Sequence, residues 1–81
     1  MQLRLSEGAK QEYESLSVPL RKVSQKQFTF LATNIRHPSL RAKKYDESTG
    51  LWQARINKSW RFYFFLARDV YLIVNIRKHP K

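Results

Sequence analysis

Residues 50–65 read GLWQARINKSWRFYFF, and the alternation within this stretch predicts a β-hairpin. Along residues 51–56 and 60–65, on either side of the polar triplet 57–59, every even-numbered residue is apolar, and glutamine and arginine occur only at odd-numbered positions. If the triplet forms the loop, Ile56 pairs with Trp60, and Arg55 lies directly opposite Arg61. Like charges in this position destabilise a sheet. The pair therefore indicates an anionic ligand, and phosphate suits the planar arginine side chain best.

The length and composition of the chain fit one small domain. Its 81 residues are 42% hydrophobic and 14% aromatic, so residues 1–81 are expected to form a single domain around one hydrophobic core. The chain has no cysteine, which excludes disulfides and thiolate metal sites within it. Because only two histidines are present besides the carboxylates, neither a metal site nor a cofactor is expected.

The charge of the chain is strongly unbalanced. Sixteen lysines and arginines oppose six aspartates and glutamates, which gives a formal net charge of +10. Eleven of the basic residues but only three of the acidic ones lie between Arg36 and Lys81. Such a balance favours a polyanion or a strongly acidic protein as the partner. The alternative is a solubilising surface without a specific partner.

Neither a leader sequence nor a membrane segment is expected. Residues 1–5 alternate between polar and apolar types and lack the apolar run of a signal peptide. No segment approaches the roughly 18 apolar residues that a membrane span requires. We therefore expect a cytoplasmic protein that has no membrane partner.

The rest of the chain predicts two helices before the hairpin and a further strand after it. Residues 1–5 form a candidate strand, and Ser6 is suited to cap the first helix. A second helix is predicted from about Pro19 to Ile35, because Pro38 prevents its continuation. Residues 36–50 form a basic connector, and strands follow at 51–56, 60–66 and 70–76. The predicted class is α+β, with both helices on one face of a mainly antiparallel sheet in the order β-α-α-β-β-β.

The three later strands predict one apolar face and one open face. Their even-numbered residues are almost all apolar and should pack on the helices. Tyr63 and Tyr71 on the other face are candidates to stack bases of single-stranded RNA, although a protein partner could equally cover them. Arg61 is either an anion ligand or an exposed side chain that stacks on an aromatic neighbour. The odd-numbered residues of the open face are Gln53, Arg55, Arg61, Tyr63, Phe65, Tyr71, Ile73, Asn75 and Arg77.

Three segments carry a resemblance to a known family. They are residues 50–56 (GLWQARI), residues 60–64 (WRFYF) and residues 75–79 (NIRKH). Their order and spacing resemble the RelE/ParE superfamily of toxins from bacterial type II toxin–antitoxin modules. Members typically place an aromatic residue and then Arg or Lys in the first segment, an aromatic residue or His followed by Arg in the second, and a basic stretch at the end of the third. The resemblance covers about half of the chain, and the helical half agrees in element order.

The resemblance implies a ribosome-dependent mRNA endoribonuclease. Toxins of the RelE and YoeB type cleave mRNA in the ribosomal A site, where the 2′-hydroxyl attacks the adjacent phosphorus. This chemistry needs a base, positive charge at the transition state and an acid for the leaving oxygen. By resemblance, Arg61 matches the arginine that stabilises the phosphate, Arg55 matches a basic position of the preceding strand, and His79 matches a catalytic histidine. By the same resemblance, Arg77 matches the basic neighbour of that catalytic histidine.

The family also implies partners and further contacts to RNA. The expected partners are an acidic antitoxin protein, mRNA and the ribosome. Lys43, Lys44 and Lys78 are candidate contacts to the phosphate backbone. For the Lys43-Lys44 pair and for His79, plain exposure to solvent is the alternative.

The chain departs from the YoeB-like branch at two places. Pro80 follows His79 where that branch has a tyrosine, and residues 37–39 (HPS) stand where it has a glutamate. The missing acid and base groups favour an alternative function, a ParE-like inhibitor of a protein target such as DNA gyrase that carries out no chemistry. A third interpretation is a catalytically inactive relative that binds nucleic acid.

Overall fold

The chain forms two layers, a five-stranded sheet with both helices on one face. The computed structural model describes residues 1–79, so Pro80 and Lys81 of the predicted domain lie outside the described residues, as does the departure at Pro80. In chain order the elements are β1 (Gln2–Leu5), α1 (Glu7–Glu14), α2 (Val18–Thr33), a 3₁₀ turn (Pro38–Leu40), β2 (Lys43–Asp46), β3 (Leu51–Arg55), β4 (Trp60–Ala67) and β5 (Val70–Lys78).

The sheet brings the first and last strands together. Its strand order is β1-β5-β4-β3-β2, with β1 parallel to β5 and every other pair antiparallel. The predicted α+β class, with helices on one face of a mainly antiparallel sheet, is confirmed. The edge strand β2 was not predicted, because its residues belong to the segment interpreted as a basic connector.

Two serines set the beginnings of the helices. The Ser6 hydroxyl oxygen accepts a hydrogen bond from the Ala9 N–H at 3.1 Å, and the Ser17 hydroxyl oxygen accepts one from the Leu20 N–H at 3.3 Å. The second helix ends at Thr33, two residues before the predicted end, where the backbone becomes extended. No helix within residues 1–79 is long and apolar enough to cross a membrane.

The core lies between the helices and the even-numbered residues of β3 and β4, as predicted. Ala54, Phe62 and Phe64 are fully buried, and Leu31 of the second helix is buried with them. Phe28 packs edge to face on Phe62, with ring centroids 5.1 Å apart. Because strand residues alternate between faces, this packing directs the odd-numbered residues of β3 and β4 away from the helices.

A bulge in β5 reverses part of its predicted facing. The pairing with β4 skips Val74, so that Ile73 lies opposite Phe64. The alternation before the bulge therefore slips by one position, and Tyr71 and Ile73 are buried in the core, 5% and 0% exposed. The prediction that Tyr71 and Ile73 lie on the open face is wrong. Tyr71 packs edge to face on Phe64 and is not accessible to a base.

Candidate anion-binding site

The hairpin between β3 and β4 has the predicted three-residue loop. The Asn57 side-chain oxygen accepts hydrogen bonds from the backbone N–H groups of Ser59 and Trp60, at 2.8 and 2.9 Å. Such side-chain bonds to the following backbone are typical of asparagine in turns. The resulting register pairs Arg55 with Arg61, as predicted.

Three arginines form a row across the sheet, which we call the arginine row. Arg61 pairs with Arg55 on one side and with Arg77 on the other. Arg61 is only 9% exposed, Arg55 is half-buried and Arg77 is exposed. Since directly opposite like charges destabilise a sheet, the row costs stability unless an anion neutralises it.

Arg61 is anchored to the hairpin loop. Its Nη1 group donates to the carbonyl oxygens of Asn57, Trp60 and Lys58, at 2.8, 3.0 and 3.2 Å. Burial lowers the pKa of Arg61 from its ordinary value, and the positive charge of Arg55 lowers it further. Arginine stays protonated under such conditions. Arg61 therefore presents a fixed positive charge at the base of the site.

Arg55 is positioned by the second helix. Its backbone carbonyl accepts a hydrogen bond from Gln27 Nε2 at 2.9 Å, and the same nitrogen donates to the Ser39 carbonyl at 3.1 Å. The Ser39 hydroxyl donates to Gln27 Oε1 at 3.2 Å. The buried Gln27 thus joins the second helix, the 3₁₀ turn and β3. Within residues 1–79, the buried Nε of Arg55 has no hydrogen-bond partner.

Arg41 joins the arginine row from the segment after the 3₁₀ turn. It lines both pockets that flank Arg55, and its charge contributes to lowering the pKa of Arg61. Sequence reasoning missed Arg41, because strand alternation gives no information about a residue that follows a 3₁₀ turn. The first pocket, of about 350 Å³, is lined by Arg41, Lys43, Gln53, Arg55 and Arg61. The second, of about 430 Å³, is lined by Ser39, Arg41, Arg55, Asn57 and Lys58.

Tyr63 lies one row further along the same face. It is half-buried and packs edge to face on Tyr45, with ring centroids 5.1 Å apart. Burial raises the pKa of Tyr63, and the neighbouring Tyr45 raises it further, so the phenol remains a neutral hydrogen-bond donor at neutral pH. The face therefore combines fixed positive charges with an aromatic pair.

The two-layer architecture is shared with solved toxin structures along almost the whole chain. The YoeB/ParE toxin from Agrobacterium tumefaciens superposes with a TM-score of 0.82 over 99% of this chain and 100% of its own, at 14% sequence identity. The YoeB dimer from Staphylococcus aureus gives 0.80 over 99% and 98%, at 16% identity. The archaeal RelE–RelB complex from Pyrococcus horikoshii gives 0.80 over 95% and 92%, at 12% identity.

The fold is that of the RelE/ParE toxins. No family model matches the sequence. No curated protein matches it either. At identities this low, the likeness to the solved toxins establishes the fold alone.

On this RelE/ParE fold, only some of the predicted site residues come together. Lys43 and Tyr63 share the face of the arginine row. Lys44 and Lys78 lie at the alternate positions of their strands, so their side chains are on the opposite face of the sheet, the side of the helices. The Lys44 ammonium lies 5.3 Å from the Trp52 ring centroid, and Lys78 lines a groove beside the second helix. Neither lysine lines the two pockets beside the arginine row.

His79 directly follows β5, beside the hairpin loop. The His79 side chain is exposed, and its backbone N–H donates to the Ser59 carbonyl at 2.6 Å, which ties the end of β5 to the hairpin loop. Within residues 1–79, no three His, Asp or Glu side chains are grouped so that they could hold a metal ion. The chemistry of the pockets suits an anion, because cations and amide groups line them and, of the described residues, no carboxylate does.

Proposed function

We propose that the protein is the toxin of a type II toxin–antitoxin module and acts as a ribosome-dependent mRNA endoribonuclease. The observation that carries this proposal is the arginine row, which lies on the face of a RelE/ParE fold opposite the helices. A like-charged row with cation-lined pockets is an arrangement that stability alone disfavours. A polyanionic ligand such as RNA offsets that cost by neutralising the row.

In the proposed reaction a ribose 2′-oxygen attacks the adjacent phosphorus, the bond from phosphorus to the 5′-oxygen breaks and a cyclic phosphate forms, while the 2′-hydroxyl proton passes to solvent water. Negative charge builds up on the phosphoryl oxygens in the transition state, and fixed cations stabilise it most where no reorganisation is needed. Arg61 meets that requirement, since the loop carbonyls hold its guanidinium in place. Arg55 and Arg77 flank it on either side. His79, tied to the loop through its backbone, is the proposed proton donor to the leaving 5′-oxygen.

The proposal is tested by expressing the protein without its antitoxin and mapping cellular mRNA ends by primer extension. The unchanged protein should arrest growth and produce cuts at fixed codon positions. Arg61→Ala should abolish the arrest, because loss of one charge-stabilising contact lowers the rate on the order of a hundredfold or more. Arg68→Ala, in the exposed turn at the far end of β4, is the matched control and should stay toxic. Full toxicity of Arg61→Ala would contradict the role of Arg61.

A second function is favoured by the composition of the site. Among the described residues the pockets contain no carboxylate and no histidine, so the acid–base groups of an RNase are reduced to the exposed His79. A ParE-like inhibitor of a protein target such as DNA gyrase needs no such groups. The order of events after induction separates the two functions. Translation stops first for an mRNA nuclease, whereas DNA damage and filamentation come first for a gyrase poison.

The proposed protein partner is an acidic antitoxin. The surface of this protein that should bind the antitoxin includes the arginine row, whose charge an acidic segment neutralises. The archaeal RelE used for comparison was solved as a complex with RelB, which supports a partner of this kind. Co-expression with the cognate acidic antitoxin should restore growth.

A further inference from the structure

The two pockets of the arginine face meet at one pair of residues. Arg41 and Arg55 line both, so their side chains separate one pocket from the other. On one side lie Lys43 and the Gln53 amide, and on the other lie Asn57 and Lys58. In addition to the two shared arginines, each pocket therefore has its own lysine and its own side-chain amide, and Arg61 also lines the first pocket. This duplication fits two anionic groups of the same kind at neighbouring positions.

Arg41 makes no side-chain hydrogen bond within the described residues, although its backbone position is unusual. Arg41 ends the 3₁₀ turn with φ 45° and ψ 43°, the left-handed region that Gly, Asn and Asp occupy far more readily than arginine. Its side chain is exposed and makes no hydrogen bond within residues 1–79. Because no protein group within residues 1–79 engages the guanidinium, its charge is available to a ligand that enters either of the pockets that Arg41 lines.

Arg55 has unused hydrogen-bonding capacity, whereas Arg61 is partly committed. The Nε of Arg55 is buried without a partner in the described chain, although a buried donor ordinarily has one. By contrast, Nη1 of Arg61 already donates to the hairpin loop. Of the arginines that line the pockets, Arg41 and Arg55 are therefore the two whose side chains the hairpin loop does not engage.

We propose that Arg41 and Arg55 together clamp two consecutive phosphates of a single-stranded RNA, one in each pocket. The inference rests on the proposed function, since it takes RNA as the ligand. The bound strand runs from the β2 edge, past Arg41 and Arg55, to the tip of the hairpin at Lys58. Arg41 is in this account a binding residue of the site that positions the strand over Arg61.

The test compares two arginines with the same backbone conformation. Arg68 has φ 54° in the turn between β4 and β5, at the other end of the sheet, and Arg41→Asn and Arg68→Asn are therefore matched changes. Asparagine tolerates this region, so both variants should keep the thermal stability of the unchanged protein. The ligand is a 2′-O-methyl uridine pentanucleotide, which cannot be cleaved, and affinity is measured by fluorescence anisotropy across a range of salt concentrations.

Arg41→Asn should weaken binding about tenfold or more, as expected for a lost charge-assisted hydrogen bond, and should flatten the log–log salt slope by about 0.7. Arg68→Asn should change neither quantity. A dinucleotide with one phosphodiester should bind more weakly than the pentanucleotide, because it fills one pocket, but its binding should still depend on Arg41, which lines both pockets.

Other results would overturn the clamp in distinguishable ways. If Arg41→Asn binds like the unchanged protein while Arg55→Gln binds weakly, the clamp is wrong and the proposed RNA-binding face stands. If Arg55→Gln also binds like the unchanged protein, the proposed function fails with it. If poly-glutamate binds in an Arg41-dependent manner and the pentanucleotide does not bind, the ligand of the pockets is an acidic protein, and the RNA clamp is wrong.

Discussion

Arg55, Arg61 and Arg77 stand opposite one another on three neighbouring strands, and their mutual repulsion opposes folding. Arg61 tolerates this position because its Nη1 group donates hydrogen bonds to three backbone carbonyls at the tip of the hairpin. Arg77 is exposed and has no such compensation within the described chain. The row therefore contains one arginine, Arg61, that stabilises the hairpin and another, Arg77, that only adds charge.

Replacing Arg77 should stabilise the protein. Arg77→Thr removes one like-charge pair and introduces a residue that favours strands, so the free energy of unfolding should rise by about 0.5 kcal/mol in low salt. The gain should shrink in 1 M salt, at which exposed charges are screened. Urea unfolding at both salt concentrations measures the effect.

Arg4→Thr provides the matched control for Arg77→Thr. Arg4 is an exposed strand residue that pairs with Leu72 and not with a cation, so its replacement reports strand propensity alone. Equal, salt-independent gains for the two variants would contradict repulsion within the arginine row.

Gln27 connects three elements that are separate in the chain: the second helix, the 3₁₀ turn and β3. Its amide bonds to Ser39 in the 3₁₀ turn and to the Arg55 carbonyl at the end of β3. Arg41 directly follows the same turn, and His37 directly precedes it, with its Nδ1 accepting a hydrogen bond from the Ser39 N–H at 3.2 Å. The second helix thereby fixes the position of both arginines that line the two pockets.

Replacing Gln27 should destabilise the protein and loosen the site together. Gln27→Leu leaves two carbonyls without their donor in a buried position, which should lower the free energy of unfolding by about 2–3 kcal/mol. RNA affinity should fall as well, although Gln27 cannot touch the ligand, since it is 4% exposed. Urea unfolding and oligonucleotide binding, measured on the same preparation, test both expectations.

Gln25→Leu is the matched control on the same helix. Gln25 is exposed, and among residues 1–79 its side chain bonds only to the Tyr13 hydroxyl, so its replacement should change stability by less than about 0.5 kcal/mol. If Gln25→Leu and Gln27→Leu are equally destabilised, the connection through Gln27 does not position the site.

With a net charge of +10, the whole protein could bind RNA either through a defined face or through its total positive charge. Suppose that four or five cations of the arginine face meet phosphates. Counterion release on a single strand then gives a log–log salt slope of about −3. Arg61→Gln should flatten that slope by about 0.7, because one contact is lost.

Lys10→Gln separates the two cases in the same salt titration. Lys10 is exposed on the first helix, on the opposite side of the sheet from the arginine row. Its loss should leave the slope unchanged. Equal flattening by Lys10→Gln and Arg61→Gln would mean that the charge acts as a diffuse cloud, and that the proposed face is not a site.

Much of the fold was predictable because local patterns specify it. Alternation on either side of residues 57–59 predicted the hairpin register and with it the pair Arg55–Arg61, since an apolar face can be buried in only one register. The capping role of Ser6 was predictable for a similarly local reason. For β5 the pattern was ambiguous, because residues 70–74 are apolar on both faces and a one-residue slip leaves no polar side chain in the core.

Local patterns along the chain are sufficient to specify the α+β class, the hairpin and the opposed charges of Arg55 and Arg61. The bulge at Val74, which buries Tyr71, and the return of the 3₁₀ turn to β3, which brings Arg41 to Arg55, depend on how the elements pack together. The two groups of features differ in the range of the interactions that produce them. Alternation and capping act between near neighbours, whereas the bulge and the Gln27 hydrogen bonds join residues far apart in the chain, and their geometry is set by packing.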